Sequence, residues 1–156
     1  MAEDRTSSAS SIEIQMAAPA ADPIHHVPSS ALICVLLVED DQVLRAVSAD
    51  TLSDLGYRAI RASNGIQALA ALEREPSIKV LMTDIGLPGM DGRQLAAETR
   101  RRWPGIGILF VTGYDEMLTD AHLVREGGFE YLAKPYGYED LAKVLKRLLG
   151  WGANES

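Results

Sequence analysis

Leu32-Ile33-Cys34-Val35-Leu36-Leu37-Val38 runs without a charged side chain and then breaks into Glu39-Asp40-Asp41. A short apolar run that does not alternate with polar residues suits a strand buried on both faces, as in a parallel sheet. The acids mark where that strand leaves the core. Asp41 reads as the N-cap of a helix that carries Val43, Leu44, Val47, Thr51, Leu52 and Leu55 on one stripe and stops at Gly56.

The same rhythm continues along the chain. Tyr57 to Ala62 reads as a second strand, and Ser63 or Asn64 caps a helix through about Glu73, with Pro76 just beyond. Lys79 to Thr83 is a third strand that ends at Asp84. Asp91-Gly92 opens a helix that Pro104 stops near Trp103. Gly107 to Val111 is a fourth strand ending at Thr112, and a weaker helix spans roughly Glu116 to Glu126. Phe129 to Ala133 is a fifth strand ending at Lys134-Pro135, and a last helix carries Tyr138, Leu141, Val144, Leu145 and Leu148 to about Gly150. Strand and helix alternating five times imply an α/β fold: a doubly wound, five-stranded parallel sheet with right-handed crossovers and helices on both faces. Residues 1–30, rich in Ser, Ala and Pro, read as a disordered tail. Residues 31–150 form the domain and 151–156 a short C-terminal tail, so a stand-alone domain is expected.

Composition narrows the function. A net charge of -7 argues against a nucleic-acid binder, which needs a basic face. The longest apolar run is far too short to span a membrane, and the N-terminus does not read as a signal peptide. Cys34 is the single cysteine, which fits a reducing, cytoplasmic setting and a buried core thiol. His25-His26 reads as a solvated pair and His122 as a helix-surface residue.

The chemistry gathers where strands end. Glu39-Asp40-Asp41, Thr83-Asp84, Thr112-Gly113 and Lys134 each follow a strand. In a parallel sheet these ends share one edge, and ligand sites in open α/β sheets form outside it. Each feature has a plainer reading alone. Asp41 can simply cap a helix, Asp84 can be a turn residue before Gly86, Pro88 and Gly89, Thr112-Gly113 can be a strand exit, and Lys134-Pro135 can be a solvated lysine before a turn. Their joint occurrence at four strand ends points to a site. Clustered carboxylates call for a counter-charge, and a hard divalent cation such as Mg²⁺ supplies it through oxygen ligands. A carboxylate beside that cation can attack phosphorus, with Lys134 neutralising the transferring group.

Four motifs in this order resemble the receiver domain of two-component response regulators over about residues 31–150. They are Val-Glu-Asp-Asp at 38–41, Thr-Asp-Ile-Gly-Leu-Pro-Gly-Met-Asp-Gly at 83–92, Phe-Val-Thr-Gly-Tyr at 110–114 and Tyr-Leu-Ala-Lys-Pro-Tyr at 131–136. In size the chain is close to the single-domain chemotaxis regulator, and the third motif is similar to receivers of hybrid sensor kinases. The resemblance implies a flavodoxin-like sheet of order 2-1-3-4-5. It implies that Asp84 is the phospho-acceptor and that Mg²⁺ is held by Asp40, Asp84 and the main-chain carbonyl of Gly86, with Glu39 acting mainly through metal-bound water. Lys134 would contact the phosphoryl group, and Pro135 would follow a cis peptide. Thr112 and Tyr131 would be the switch pair, the readout surface being the helix at 116–126, the fifth strand and the last helix. The donor would be a phospho-histidine on a sensor kinase or phosphotransfer protein, so the chain is expected to be a signalling phospho-acceptor and not an enzyme in the ordinary sense. Gly86 and Tyr114 flank the route for water and leave the phosphoryl lifetime open.

Two other readings compete. An aspartate-nucleophile phosphatase also uses carboxylates and Mg²⁺ on such a sheet, but it resembles Asp-x-Asp after the first strand, where this chain has Glu39-Asp40-Asp41. A phosphorylation-independent module on the same fold usually loses an acid, the acceptor or the lysine, and this chain keeps all three.

Overall fold

The computed structural model describes residues 31–113 and 128–155, with side chains as far as residue 150. From residue 33 onward the described residues belong to one compact unit. Five strands pair in parallel in the order β2-β1-β3-β4-β5: β1 (Cys34–Val38), β2 (Arg58–Ala62), β3 (Ile78–Asp84), β4 (Gly107–Thr112) and β5 (Phe129–Ala133). The helices described are α1 (Gln42–Asp54), α2 (Gly65–Arg74), α3 (Gly92–Arg102) and α4 (Tyr138–Glu155). The fold class and strand order are those the sequence implies. The helix expected at 116–126, Tyr114, His122, the 1–30 tail and its His25-His26 pair lie outside the described residues.

Local chemistry explains the boundaries. Asp41 Oδ1 accepts from Leu44 N at 2.9 Å, Asn64 Oδ1 from Gln67 N at 2.8 Å, and Asp91 Oδ1 from Gln94 N at 2.9 Å. Each satisfies a helix N–H that has no partner within its own helix. At α3 the Gln94 side chain returns the favour to the Asp91 N–H, which completes a capping box. α4 passes its expected end at Gly150 and continues to Glu155. Glycine weakens a helix by about 1 kcal/mol but keeps its N–H in the ladder, so it need not end one.

The core lies on both faces of the sheet. One cluster joins Leu36, Leu81, Ile108 and Phe110 to α2 and α3; the other joins Val35, Val80, Met82 and Leu109 to α1 and α4. β1, β3 and β4 sit in the middle, so residues of both parities are buried, and that is why their sequences do not alternate. Cys34 is a buried core thiol, as expected.

α1 departs from the expected pattern. Ala49 and Leu52 are buried, but Val43, Leu44 and Val47 are 70%, 46% and 56% exposed. The stripe read from the sequence is real, but only its C-terminal part reaches the core. Leu44 and Val47 instead form one wall of a surface groove described below.

α3 starts against the end of β3. Gly92 N donates to Ile85 O at 2.8 Å, and a Cβ on Gly92 would lie 2.2 Å from Asp84 O. Backbone fills that space and cannot step aside as a side chain could. Gly92→Ala is therefore expected to destabilise the protein by about 1–3 kcal/mol, the usual cost of overpacking a tight contact. A urea melt checks it, and an unchanged midpoint would contradict the packing account.

Candidate functional site

Each strand end places its polar residue by main-chain bonding. Glu39 N donates to Ala62 O at 3.1 Å, which fixes the exit of β1 against β2. Asp84 lies in register with Val111 across the β3–β4 ladder. Lys134 N donates to Thr112 O at 2.8 Å, which ties the exit of β5 to that of β4. The Lys134–Pro135 peptide is cis.

These constraints bring Glu39, Asp40, Asp84 and Lys134 to one place. Glu39, Asp40 and Asp84 each offer a carboxylate oxygen, all within 4.8 Å of one another. Lys134 Nζ donates to Asp84 Oδ2 at 3.1 Å and stands 3.5 Å from Glu39 Oε1. Glu39 is buried, Asp84 is partly buried and Asp40 is exposed. Glu39 Oε2 also accepts from Asp41 N at 3.0 Å. Asp41 itself faces outward and caps α1. Thr112 is fully buried at the end of β4, while Gly86 is exposed in the loop after β3. Tyr131 is 6% exposed, and its ring lies 5.1 Å from that of Phe110, inside the core.

Burial pushes the Glu39 carboxyl above its usual range; the Asp41 N–H and the Lys134 ammonium oppose this, and Asp84 and Asp40 add to it. For Lys134, burial acts downward, but its hydrogen bond to Asp84 and the charges of Asp84 and Glu39 outweigh it and hold the ammonium above the ordinary lysine value. Two of the three clustered acids thus share one ammonium. The donor set is all hard oxygen and is under-neutralised, which fits a hard divalent cation.

Two features were not anticipated from the sequence. Arg45 Nη1 donates to Glu39 O at 2.8 Å, so α1 braces the main chain beside the acids from behind. Its place one turn after the cap Asp41 is the signal that could have revealed it. The second is a groove of about 540 Å³ that runs from Asp84 and Lys134 along α1. Leu44, Val47 and Thr51 form one wall, and Tyr136 and Tyr138 the other. The Ser48 and Tyr136 hydroxyls meet at 2.9 Å and fasten the loop after Lys134 to α1. These residues are far apart in sequence, so only the fold joins them.

A parallel sheet of this order with three carboxylates and a lysine at its C-terminal edge has the architecture of a receiver domain. The chain belongs to the response regulator receiver domain family, whose model matches residues 35–146. It is 35% identical over 113 residues to the response regulator protein FleR of Pseudomonas aeruginosa, covering 72% of this chain and 24% of that one. It is 34% identical over 116 residues to the sensor kinase CckA of Brucella abortus, covering 74% of this chain and 12% of that one. The chain thus spans a quarter or less of the length of these relatives. A CheY-like receiver domain protein from Methanospirillum hungatei superposes with a TM-score of 0.72 at 28% identity, covering 81% of this chain and all of that one. Among the described residues, no helix is long and apolar enough to cross a membrane.

The raised Glu39 carboxyl gives a signed pH effect. Its folded value lies above its unfolded one, so its contribution to stability is full below about pH 4.3 and is lost as pH rises through the folded value. Without divalent cation, Glu39→Gln should flatten that slope, so that the variant gains stability relative to the wild type as pH rises. Urea melts of both proteins from pH 4 to 7 check this, and parallel curves would count against it.

Proposed function

We propose that this chain accepts a phosphoryl group on Asp84 from a phospho-histidine of a sensor kinase or phosphotransfer protein, with Mg²⁺ as cofactor, and thereby changes a docking surface for a partner protein. The observation that carries the reading is the contact of Lys134 with Asp84 within the three-carboxylate cluster. An isolated aspartate at a strand end would not need that company.

The residues divide the work. Asp40 and Asp84, with the carbonyl of Gly86, would hold Mg²⁺, and Glu39 would act through its water shell. The cation supplies charge neutralisation and draws the incoming phosphoryl oxygens toward the acceptor. An Asp84 carboxylate oxygen attacks phosphorus. The phosphorus–nitrogen bond to the donor imidazole breaks, and the nitrogen keeps the electron pair. Lys134 offsets charge on the transferred group as a compact ammonium. The apolar groove along α1 opens beside Asp84, so a donor helix with an apolar face has a place to lie while its histidine reaches the acceptor.

Switching follows from the added charge. Thr112, at the end of β4 and bonded through its carbonyl to Lys134 N, would turn its hydroxyl toward the phosphoryl oxygens. Tyr131, already packed on Phe110, would be held more firmly inward. The phosphoryl group then biases an existing equilibrium of β5, α4 and the segment at 116–126.

The test uses acetyl phosphate and Mg²⁺ with intact-mass detection. Wild type should gain one hydroxylamine-labile phosphoryl group, Asp84→Asn none, and Lys134→Ala a group that still forms but no longer changes the Tyr131 environment. No uptake by the wild type would reject the reading.

A further inference from the structure

A second cleft, of about 440 Å³, lies at the corner where α1 begins and β2 passes into α2. Gln42 and Arg45 line it from α1, Arg61 from β2, Ser63 from the turn and Gln67 from α2. Among the described residues no carboxylate lines it, although the chain carries 22 acidic residues against 15 basic ones. Two arginines are the charged residues that line it.

The hydrogen-bonding inventory is one-sided. Arg45 uses Nη1 on Glu39 O and keeps other donors. Arg61 is exposed and, among the described residues, makes no hydrogen bond or ion pair. Other arginines of the domain behave differently: Arg58, Arg101, Arg102 and Arg147 each meet a glutamate. Gln67 spends its carbonyl Oε1 on Ser63 N and Ser63 Oγ, both at 2.8 Å, and so has only N–H groups left to offer. The cleft is thus rich in donors, poor in acceptors and positively charged. Planar guanidinium forks in such a setting match the oxygens of a phosphate-type anion.

We propose that this cleft is an oxyanion subsite separate from the acceptor site, taking a phosphate-class dianion between Arg45 and Arg61. Because Arg45 also holds Glu39 O, an occupant there sits one side chain away from the acid cluster without sharing its ligands. The phosphate can come free in solution or on a phosphorylated side chain of a partner.

The experiment reads the arginine Nε–Hε and backbone amide NMR signals of the full chain during titration with sodium phosphate at fixed ionic strength. No divalent cation is present, so the acceptor site stays net negative and repels anions. Saturable shifts are expected at Arg45, Arg61 and Gln67. Arg61→Gln should weaken binding about tenfold, as loss of a charge-assisted fork does, and Arg147→Gln should leave it unchanged. Linear shifts, equal effects of the two variants, or shifts centred on Lys134 would overturn the proposal. A phosphoserine peptide run in parallel separates the sources: tighter binding than inorganic phosphate assigns the site to a partner, and equal or weaker binding assigns it to a free phosphate. Phosphoryl uptake on Asp84 is not part of this readout, so this proposal and the preceding one fail independently.

Discussion

Lys134 Nζ touches Asp84 at 3.1 Å and stands 3.5 Å from Glu39, and the rest of the site is arranged around that shared ammonium. The contact depends on a β5 exit held to β4, because the Lys134 N–H bonds to Thr112 O. It depends equally on a β1 exit held to β2 and braced by Arg45. The parallel sheet therefore does more than present residues at one edge. Its ladder bonds set the spacing between opposite charges that would otherwise be screened apart by water. Burial makes the arrangement costly for Glu39, which is why its carboxyl is pushed upward while Lys134 is held charged.

The fold was readable in the sequence because its central strands are buried on both sides. Cys34–Val38 and Gly107–Thr112 are uniformly buried, and uninterrupted apolar runs are what such strands require. Asp41, Asn64 and Asp91 cap the helices where their side chains suggested. The acids and Lys134 were legible as strand-end residues, since the topology alone sends those ends to one edge. The α1 stripe was legible only in part. Periodicity shows which side chains share a face, but whether that face meets the sheet or a groove depends on how the helix lies. Leu44 and Val47 took the second course. The role of Arg45 had a local signal in its place one turn after Asp41, but the meeting of Ser48 with Tyr136 needed the fold, because the two are far apart in sequence.

α1 joins two demands that pull in different directions. Its first turn needs polar residues: Asp41 to cap it, and Arg45 to brace Glu39. Its outer side carries Val43, Leu44 and Val47, whose exposure costs free energy in an isolated molecule. A helix serving only stability would turn those side chains inward or replace them with polar ones. The position of Leu44 and Val47 along a groove that ends at Asp84 gives their exposed surface a use that a core position could not provide.

The charge balance at the edge then sets how a phosphoryl group could be felt elsewhere. Three carboxylates and one ammonium leave an excess of two negative charges when all are ionised, which a divalent cation would cancel. A phosphoryl group on Asp84 replaces one carboxylate charge with roughly -1.5 to -2, so the balance turns negative again, now farther from the sheet. Lys134 and the Thr112 hydroxyl are the strand-end donors best placed to answer that change, and they are linked through the Lys134 N–H and Thr112 O. Thr112 stands in register with Ala133, while Phe110, two residues earlier on the same strand, stands in register with Tyr131 and packs against its ring. In the proposed switch, a shift of either donor toward the phosphoryl oxygens would act on a strand pair that carries a close-packed aromatic contact on the face Thr112 shares with Phe110. Close packing favours discrete rearrangement over gradual deformation. Under the proposed function, main-chain bonds and ring packing already present in the fold would carry a change from the sheet edge to its β5 side.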